Sequence, residues 1–148
     1  MNHSNSKPMF KRKYTVKGED VNDFMVMQNA AYLKYASKIV ETFLFVNGFT
    51  SLKMNKSKVG LQKSNDQIKH LKNLMFTKPF SVELVCKEIG LCQQKMSVEV
   101  YFYNEKEELS TKVIRELFWF DYTTWQALTP PKVIAKHFLQ QERFKRVG

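Results

Sequence analysis

The chain has 148 residues, and its 24 lysines and arginines against 14 aspartates and glutamates give it a formal net charge of +10. That length fits one ordinary domain, and 43% hydrophobic residues exclude a chain that stays unfolded because of its charge. No apolar run approaches the ~18 residues of a membrane span. The N-terminal segment MNHSNSKPMFKRK contains no apolar signal region, so we expect a cytoplasmic protein with no membrane segment.

The positive charge is concentrated in three segments. Residues 1–20 carry +3, residues 51–78 carry +6 and residues 131–148 carry +4, whereas residues 79–130 carry −3. The sequence has no RGG tract or basic helix that would mark a nucleic-acid-binding protein. Nothing beyond composition supports RNA or DNA binding, so we interpret the lysines first as a solvated surface and second as a polyanion site.

The first half of the chain predicts one strand and one long helix. Residues 9–16 alternate between apolar and polar side chains, which indicates a half-buried strand. From residue 30 the apolar residues recur at spacings of three and four up to Val46, so the helix is apolar around most of its girth. Asn29 is placed to cap the start of this helix, and Gly48 is placed to end it in a left-handed conformation.

A lysine-rich connector and a run of strands come after this helix. Residues rich in β-branched and aromatic side chains predict antiparallel strands over 67–76, 81–89, 94–104 and 109–122. Pro131 is placed to open a short C-terminal helix over 132–141. This order of elements predicts an α+β fold in which an antiparallel sheet, paired as a meander, wraps around one long central helix. We expect one domain over residues 9–141, between a flexible tail at 1–8 and a flexible basic tail at 142–148.

The segment YTVKGEDVNDFMVMQNAAYLKY resembles the opening of the hotdog-fold acyl-CoA thioesterases of the 4-hydroxybenzoyl-CoA thioesterase type. In that family a strand leads through a D-x-D-x-x-x-H/V-x-x-N/H-x-x-Y-like loop into a buried helix. Four residues fall at matching spacings: Asp20, Val26, Asn29 and Tyr32. The resemblance covers about residues 9–138. It implies a hotdog fold, hydrolysis of acyl-CoA, assembly as a homodimer or homotetramer, and no cofactor other than the coenzyme A of the substrate.

One departure from the family pattern concerns the catalytic carboxylate. The second loop aspartate of the family falls on Asn22 in this chain, and the flanking carboxylates are Asp20 and Asp23. An amide is neither a base nor a nucleophile near pH 7, whereas thioester hydrolysis usually uses a carboxylate. Asn22 could instead orient a water molecule or donate a hydrogen bond to the thioester oxygen. The catalytic candidates are therefore Asn22, Asp20 and Asp23, and the alternative for both aspartates is a solvated loop carboxylate.

The start of the long helix offers candidate substrate-binding groups. The N–H groups from Asn29 and Ala30 to Tyr32 lack helical acceptors and lie at the positive end of the helix dipole. Directed at a thioester carbonyl, they would stabilise the oxyanion that forms during hydrolysis. The alternatives are that the Asn29 side chain caps these amides and that Tyr32 is a core aromatic residue.

Four lysines are candidates for binding the phosphates of coenzyme A: Lys53, Lys56, Lys58 and Lys63. The histidines and cysteines His70, His137, Cys86 and Cys92 have no metal-site spacing, so we expect no metal. Two functions remain open. One is an acyl-CoA thioesterase whose acyl tunnel lies at a subunit interface. The other is a hotdog protein that binds acyl-CoA or an acyl carrier without turnover, because the carboxylate is missing at Asn22.

Overall fold

The computed structural model describes residues 10–90 and 95–136. The predicted tails, residues 1–8 and 142–148, lie outside the described residues, as do residues 137–141 of the predicted last helix.

The described residues form six strands and two helices, followed by a helical segment at 132–136. The helices are α1 (Asn29–Val46) and α2 (Ser51–Ser57). The strands are β1 (Phe10–Thr15), β2 (Val59–His70), β3 (Pro79–Gly90), β4 (Lys95–Tyr103), β5 (Leu109–Asp121) and β6 (Gln126–Leu128). A short 3-10 turn, Gly18–Asp20, lies between β1 and α1.

The strands form one antiparallel sheet in the order β1-β3-β4-β5-β2, with β6 paired to β5. The predicted meander is present for β3, β4 and β5, but it is wrong for β2. That strand pairs with β5, from Val59 opposite Asp121 to His70 opposite Thr111. Because the middle of β2 is polar and exposed, an edge of the sheet is the position that costs it least.

Helix α1 lies against the concave face of this sheet. The side chains that it buries follow the predicted spacing of three and four: Ala31, Tyr32, Tyr35, Ala36, Ile39, Val40, Phe43 and Leu44. They pack with fully buried residues of three central strands, such as Val82, Val100 and Val113, in one core. The predicted α+β architecture, an antiparallel sheet wrapped around one long central helix, is confirmed. Over residues 10–90 and 95–136, no helix is both long and apolar enough to cross a membrane.

The two ends of α1 differ in how well the sequence predicts them. Gly48 has a φ of 90°, as expected for the left-handed residue that ends the helix. The predicted cap at Asn29 is wrong, because Gln28 is the flanking residue and makes no side-chain capping bond. Asn29 is the first helical residue, and its side chain contacts His70 instead.

The lysine-rich connector contains a helix that the sequence pattern did not predict. Thr50 caps α2 by accepting a hydrogen bond from the Lys53 N–H at 3.1 Å, and Lys58 ends the helix with a φ of 59°. Strand β2 then begins at Val59 rather than at residue 67, since its first half pairs with the end of β5.

We predict that Ile39→Ala lowers the free energy of unfolding by about 2–5 kcal/mol, because Ile39 is fully buried between α1 and the sheet. Val46→Ala on the same helix should change it by no more than about 0.5 kcal/mol, since Val46 is 54% exposed. Urea unfolding followed by circular dichroism measures both values. Equal effects of the two substitutions would contradict the placement of α1.

Candidate active site

The loop between β1 and α1 is held on the start of α1 by a neighbouring chain segment. The Met27 N–H donates to the Leu74 carbonyl at 2.8 Å, and the Phe76 N–H donates to the Met25 carbonyl at 2.9 Å. Met25 has a φ of 63°, a left-handed conformation that costs a non-glycine residue about 1 kcal/mol or more. The path of this loop is therefore imposed by its neighbours.

Asp20 is fully buried beneath the loop and ties it to α1. Its carboxylate accepts hydrogen bonds from the Lys34 ammonium at 2.6 Å, the Tyr35 hydroxyl at 2.7 Å and the Lys17 N–H at 3.0 Å. Burial acts to raise the pKa of Asp20, but these donors outweigh it and lower the pKa below its ordinary value. Both carboxylate oxygens of Asp20 accept hydrogen bonds from within the chain. The predicted catalytic candidate Asp20 therefore anchors the loop to α1.

Asn22 is exposed in the same loop, and its side-chain oxygen closes a turn. Oδ1 accepts from the N–H groups of Phe24 at 2.9 Å and Val26 at 3.3 Å. Because backbone donors approach this atom, it is the oxygen, and the amide nitrogen Nδ2 is the group that a substrate can reach. An aspartate would accept the same two bonds, so the loop geometry is compatible with the family residue at this position.

Asp23 lies at the exposed tip of the loop, beside Phe24, which is 81% exposed. Within residues 10–90 and 95–136 its carboxylate makes no hydrogen bond or ion pair. Of the two carboxylates that flank Asn22, Asp23 is the accessible one.

Among the described residues, the start of α1 presents two free backbone donors, the N–H groups of Asn29 and Ala30. The N–H groups of Ala31 and Tyr32 donate to the Gln28 carbonyl at 3.0 and 3.2 Å. Asn29 and Ala30 are exposed, and in the described part of the chain their N–H groups have no acceptor. These two donors lie at the positive end of an 18-residue helix, an arrangement suited to binding an oxyanion.

The predicted candidate Tyr32 is a core residue with 1% of its surface exposed. Its ring packs edge-on against Phe102, with centroids 5.0 Å apart, and against the His70 imidazole at 5.1 Å. Its buried hydroxyl has no hydrogen-bond partner among the described residues.

His70 also lies at the start of α1, which the sequence analysis did not predict. Its Nε2 is 2.7 Å from Asn29 Oδ1, and its Nδ1 is 3.3 Å from Thr111 Oγ1. This position follows from the pairing of β2 with β5, where His70 lies opposite Thr111. The local sequence gives no signal for that pairing. From the sequence alone, His70 in its polar stretch is therefore indistinguishable from an ordinary surface residue.

The four candidate lysines lie at the opposite end of α1. Lys53 and Lys56 are on α2, Lys58 ends it, and Lys63 is on β2. Since an 18-residue helix is about 27 Å long, one chain does not bring these lysines to Asn22. Lys53 lies 5.0 Å above the Phe49 ring, and Lys63 is 3.6 Å from Asp66.

A groove of about 680 Å³ runs beside the C-terminal half of α1, between α2, β2 and β5. Its apolar lining consists of Val40, Leu44, Phe45, Phe49, Met54, Leu61 and Leu117. At its polar end the buried Arg115 guanidinium donates to both oxygens of Asp66, at 2.8 and 3.0 Å, and to Ser37 Oγ at 2.9 Å. The groove is large enough for an acyl chain, and its only buried cation among the described lining residues is already paired.

Thiol and metal chemistry find no site in the described residues. Burial raises the pKa of the Cys86 thiol well above its ordinary value, which disfavours the nucleophilic thiolate. Over residues 10–90 and 95–136, no cluster of three or more His, Cys, Asp or Glu side chains is arranged to hold a metal ion. Cys92 and His137 lie outside the described residues.

The sequence profile of the thioesterase-like superfamily matches residues 16–138. The chain belongs to the thioesterase-like superfamily. A comparison with curated protein sequences gives no match.

Solved structures show that the fold is the hotdog fold of thioesterases. A hypothetical protein from Staphylococcus aureus, in complex with CoA, has a TM-score of 0.80 at 15% identity, with 93% of this chain and 85% of that chain covered. A 1,4-dihydroxy-2-naphthoyl-CoA thioesterase from Synechocystis has a TM-score of 0.78 at 10% identity, with 90% and 97% covered. A DHNA-CoA thioesterase from Staphylococcus aureus has a TM-score of 0.72 at 13% identity, with 93% and 88% covered.

We predict that Asp20→Asn lowers the free energy of unfolding at pH 7 by about 2 kcal/mol, because it removes charge-assisted hydrogen bonds. The folded state lowers the pKa of Asp20, so this stabilisation is present above the unfolded value near 3.8 and is lost as the pH falls through the folded value. The difference between the two proteins should therefore disappear in strong acid. Urea unfolding at pH 7 and at steps down to about pH 2 measures it, with Asp23→Asn as the control for an exposed loop carboxylate. A difference that persists in acid would contradict the role of Asp20 as an ionised anchor.

Proposed function

We propose that this protein hydrolyses an acyl-CoA thioester to a free acid and coenzyme A. The observation that carries this proposal is the pair of free N–H donors of Asn29 and Ala30, at the start of α1 and next to an exposed loop, in a member of the thioesterase-like superfamily. A thioester carbonyl bound there would develop its negative charge against two preorganised donors. Such donors act on the tetrahedral intermediate more strongly than on the ground state, which is what catalysis requires.

Asn22 acts in this reaction through its amide nitrogen. Its Oδ1 is engaged with loop N–H groups, so Nδ2 is the atom available to the thioester oxygen or to the attacking water. Asp20 is held by Lys34 and Tyr35 and supports the loop. Asp23 is the accessible carboxylate of the loop. The hydrolysis needs water and no cofactor other than the coenzyme A of the substrate.

The protein forms a homodimer, and the acyl chain and the CoA phosphates bind at its interface. Two such dimers can associate as a homotetramer. Within one chain the groove and the four lysines, Lys53, Lys56, Lys58 and Lys63, lie at the far end of α1 from Asn22. In a twofold dimer with antiparallel α1 helices, the loop of one protomer comes close to the groove and lysines of its partner. That arrangement supplies an apolar site for the acyl chain and cations for the phosphates. The CoA bound to the Staphylococcus aureus neighbour supports the choice of an acyl-CoA substrate.

The second candidate function is acyl-CoA or acyl-carrier binding without turnover. It is favoured by one observation, the amide of Asn22 at the position of the family carboxylate. The fold and the groove serve both functions equally, so only a measurement of turnover separates them.

We predict that the purified protein releases free thiol from at least one member of a panel of short, long and aromatic acyl-CoAs. A thiol-reactive dye detects the coenzyme A that is produced, and calorimetry with the same panel measures binding. Binding without thiol release across the panel would identify the second function. Neither binding nor release would contradict both.

We predict that Asn22→Ala lowers kcat by about 10²-fold, because it removes a donor to the charge that develops in the transition state. Asn22→Asp preserves both turn hydrogen bonds but lacks Nδ2, so it should lose about as much activity, whereas retained or raised activity would show that this position favours a carboxylate. Steady-state thiol release measures both variants. A loss with Asn22→Asp as large as that with Asn22→Ala would show that the amide nitrogen itself is required.

A further inference from the structure

His70 lies where a proton acceptor for the proposed hydrolysis would be needed. It is the last residue of β2, it is exposed, and its Nε2 is 2.7 Å from the side chain of Asn29. Asn29 and Ala30 are also the two residues whose N–H groups have no acceptor among the described residues. An imidazole and an oxyanion-binding pair thus meet at one end of α1.

A chain of hydrogen bonds fixes which ring nitrogen carries the proton. The Ser110 hydroxyl must donate to the Lys72 carbonyl at 2.8 Å, because a carbonyl oxygen only accepts. Its single proton is then used, so in the 3.1 Å contact between the two hydroxyls Thr111 donates to Ser110. The proton of Thr111 is used in turn, and its Oγ1 therefore accepts from His70 Nδ1 at 3.3 Å.

The burial of the two hydroxyls supports this direction. Ser110 and Thr111 are fully buried, so solvent does not offer either of them another partner. The Tyr32 ring packs edge-on against the imidazole of His70, with the two ring centroids 5.1 Å apart. This chain of hydrogen bonds assigns the proton of neutral His70 to Nδ1 and the lone pair to Nε2, which faces the start of α1.

Asn29 stabilises the protonated ring. When Nε2 carries a proton, it donates to Asn29 Oδ1 at the observed 2.7 Å. When Nε2 is unprotonated, Oδ1 has no proton to donate to it, which leaves the single Nε2 lone pair to a water molecule. The residue predicted as a helix cap is thus the partner of a proton-accepting histidine.

The loop carboxylates fit this role less well. Asn22 accepts no proton near pH 7, and Asp20 is enclosed by its donors. Asp23 is accessible, but no described residue orients it. His70 alone among these groups combines access with a fixed orientation.

We propose that His70 is the general base of the acyl-CoA hydrolysis, and that Thr111 and Ser110 are positioning residues that hold its tautomer. This inference rests on the proposed function. Nε2 removes a proton from water as the water oxygen bonds to the thioester carbon, and the carbonyl electrons move to the oxygen held by the N–H groups of Asn29 and Ala30. Collapse of this intermediate breaks the C–S bond, and the imidazolium returns the proton to the coenzyme A thiolate.

The charged groups around His70 are mostly cations. Lys69 and Lys72 lie beside it in the chain, and Lys72 pairs with Glu108 at 2.8 Å. In the described part of the chain no carboxylate hydrogen bonds or pairs with the imidazole.

The first test measures kcat and KM for the acyl-CoA that the wild type hydrolyses, from pH 5 to 9. His70→Gln should lower kcat by about 10²-fold or more, leave KM within about threefold, and abolish the acidic limb of the profile. Lys69→Gln is the matched control on the same strand and should match the wild type. His70→Asn, with folding checked by circular dichroism, serves as the second variant.

The outcomes separate this inference from the proposed function. Turnover by the wild type that persists in His70→Gln and His70→Asn overturns the role of His70 and leaves the hydrolysis standing. If Asp23→Asn instead abolishes the acidic limb, Asp23 is the base and His70 is not. Absence of turnover in the wild type overturns the proposed function and the role of His70 together.

The second test examines the positioning residues Thr111 and Ser110 with a measurement that a change in protein stability would not alter. Nitrogen-15 NMR of labelled histidine should show the Nδ1–H tautomer of His70 in the wild type and a loss of that preference in Thr111→Val. The same variant should lower kcat by about tenfold with KM unchanged, because the base is present but no longer held. An Nε2–H tautomer in the wild type would overturn the hydrogen-bond chain.

Discussion

The burial of one apolar helix is the constraint on which the rest of this structure depends. Helix α1 buries one broad apolar face, so the sheet must curl to cover it. A curled sheet covers the middle of the helix and leaves its two ends at the rims. The loop with Asn22 lies at one rim, and the groove with its lysines lies at the other. The hydrophobic effect thus decides where chemistry can occur before any catalytic side chain is considered.

The same constraint explains why a buried carboxylate is tolerated beside the start of α1. Burying Asp20 would cost several kcal/mol if it were unpaired. Tyr35 and Lys34 come from successive positions of the helix, and the Lys17 N–H comes from the loop, so the charge is compensated from both sides. The cost of burial is offset only when the loop sits in one place. An unpaired alternative is strongly disfavoured, and this makes the loop a rigid support for Asn22.

The parts of this fold that the sequence predicts are those set by local spacing. The helix periodicity and Gly48 act within one turn or two, and both are confirmed. The Thr50 cap of α2 is an equally local signal, since a threonine three residues before Lys53 is enough to start the helix. The start of β2 and its pairing with β5 are not local, since the polar middle of β2 carries no alternation of its own. Its partner supplies the hydrogen bonds, and no window of sequence contains both strands.

The candidate site divides along the same line. Asp20, Asn22 and Asp23 stand in one short loop, so family spacing was enough to select them, but only burial separates the anchored Asp20 from the exposed Asp23. The sequence predicts that Asn29 binds the amides next to it, because a capping residue normally serves its own helix. Its actual partner, His70, is 41 residues away. The crossing of β2 to the far side of β5 is what brings an imidazole and two buried hydroxyls to the start of α1. Asn22 has an amide in place of the family carboxylate, and the topology of the sheet brings a histidine to the same end of α1. The tautomer of His70 tests whether that histidine is oriented to accept a proton.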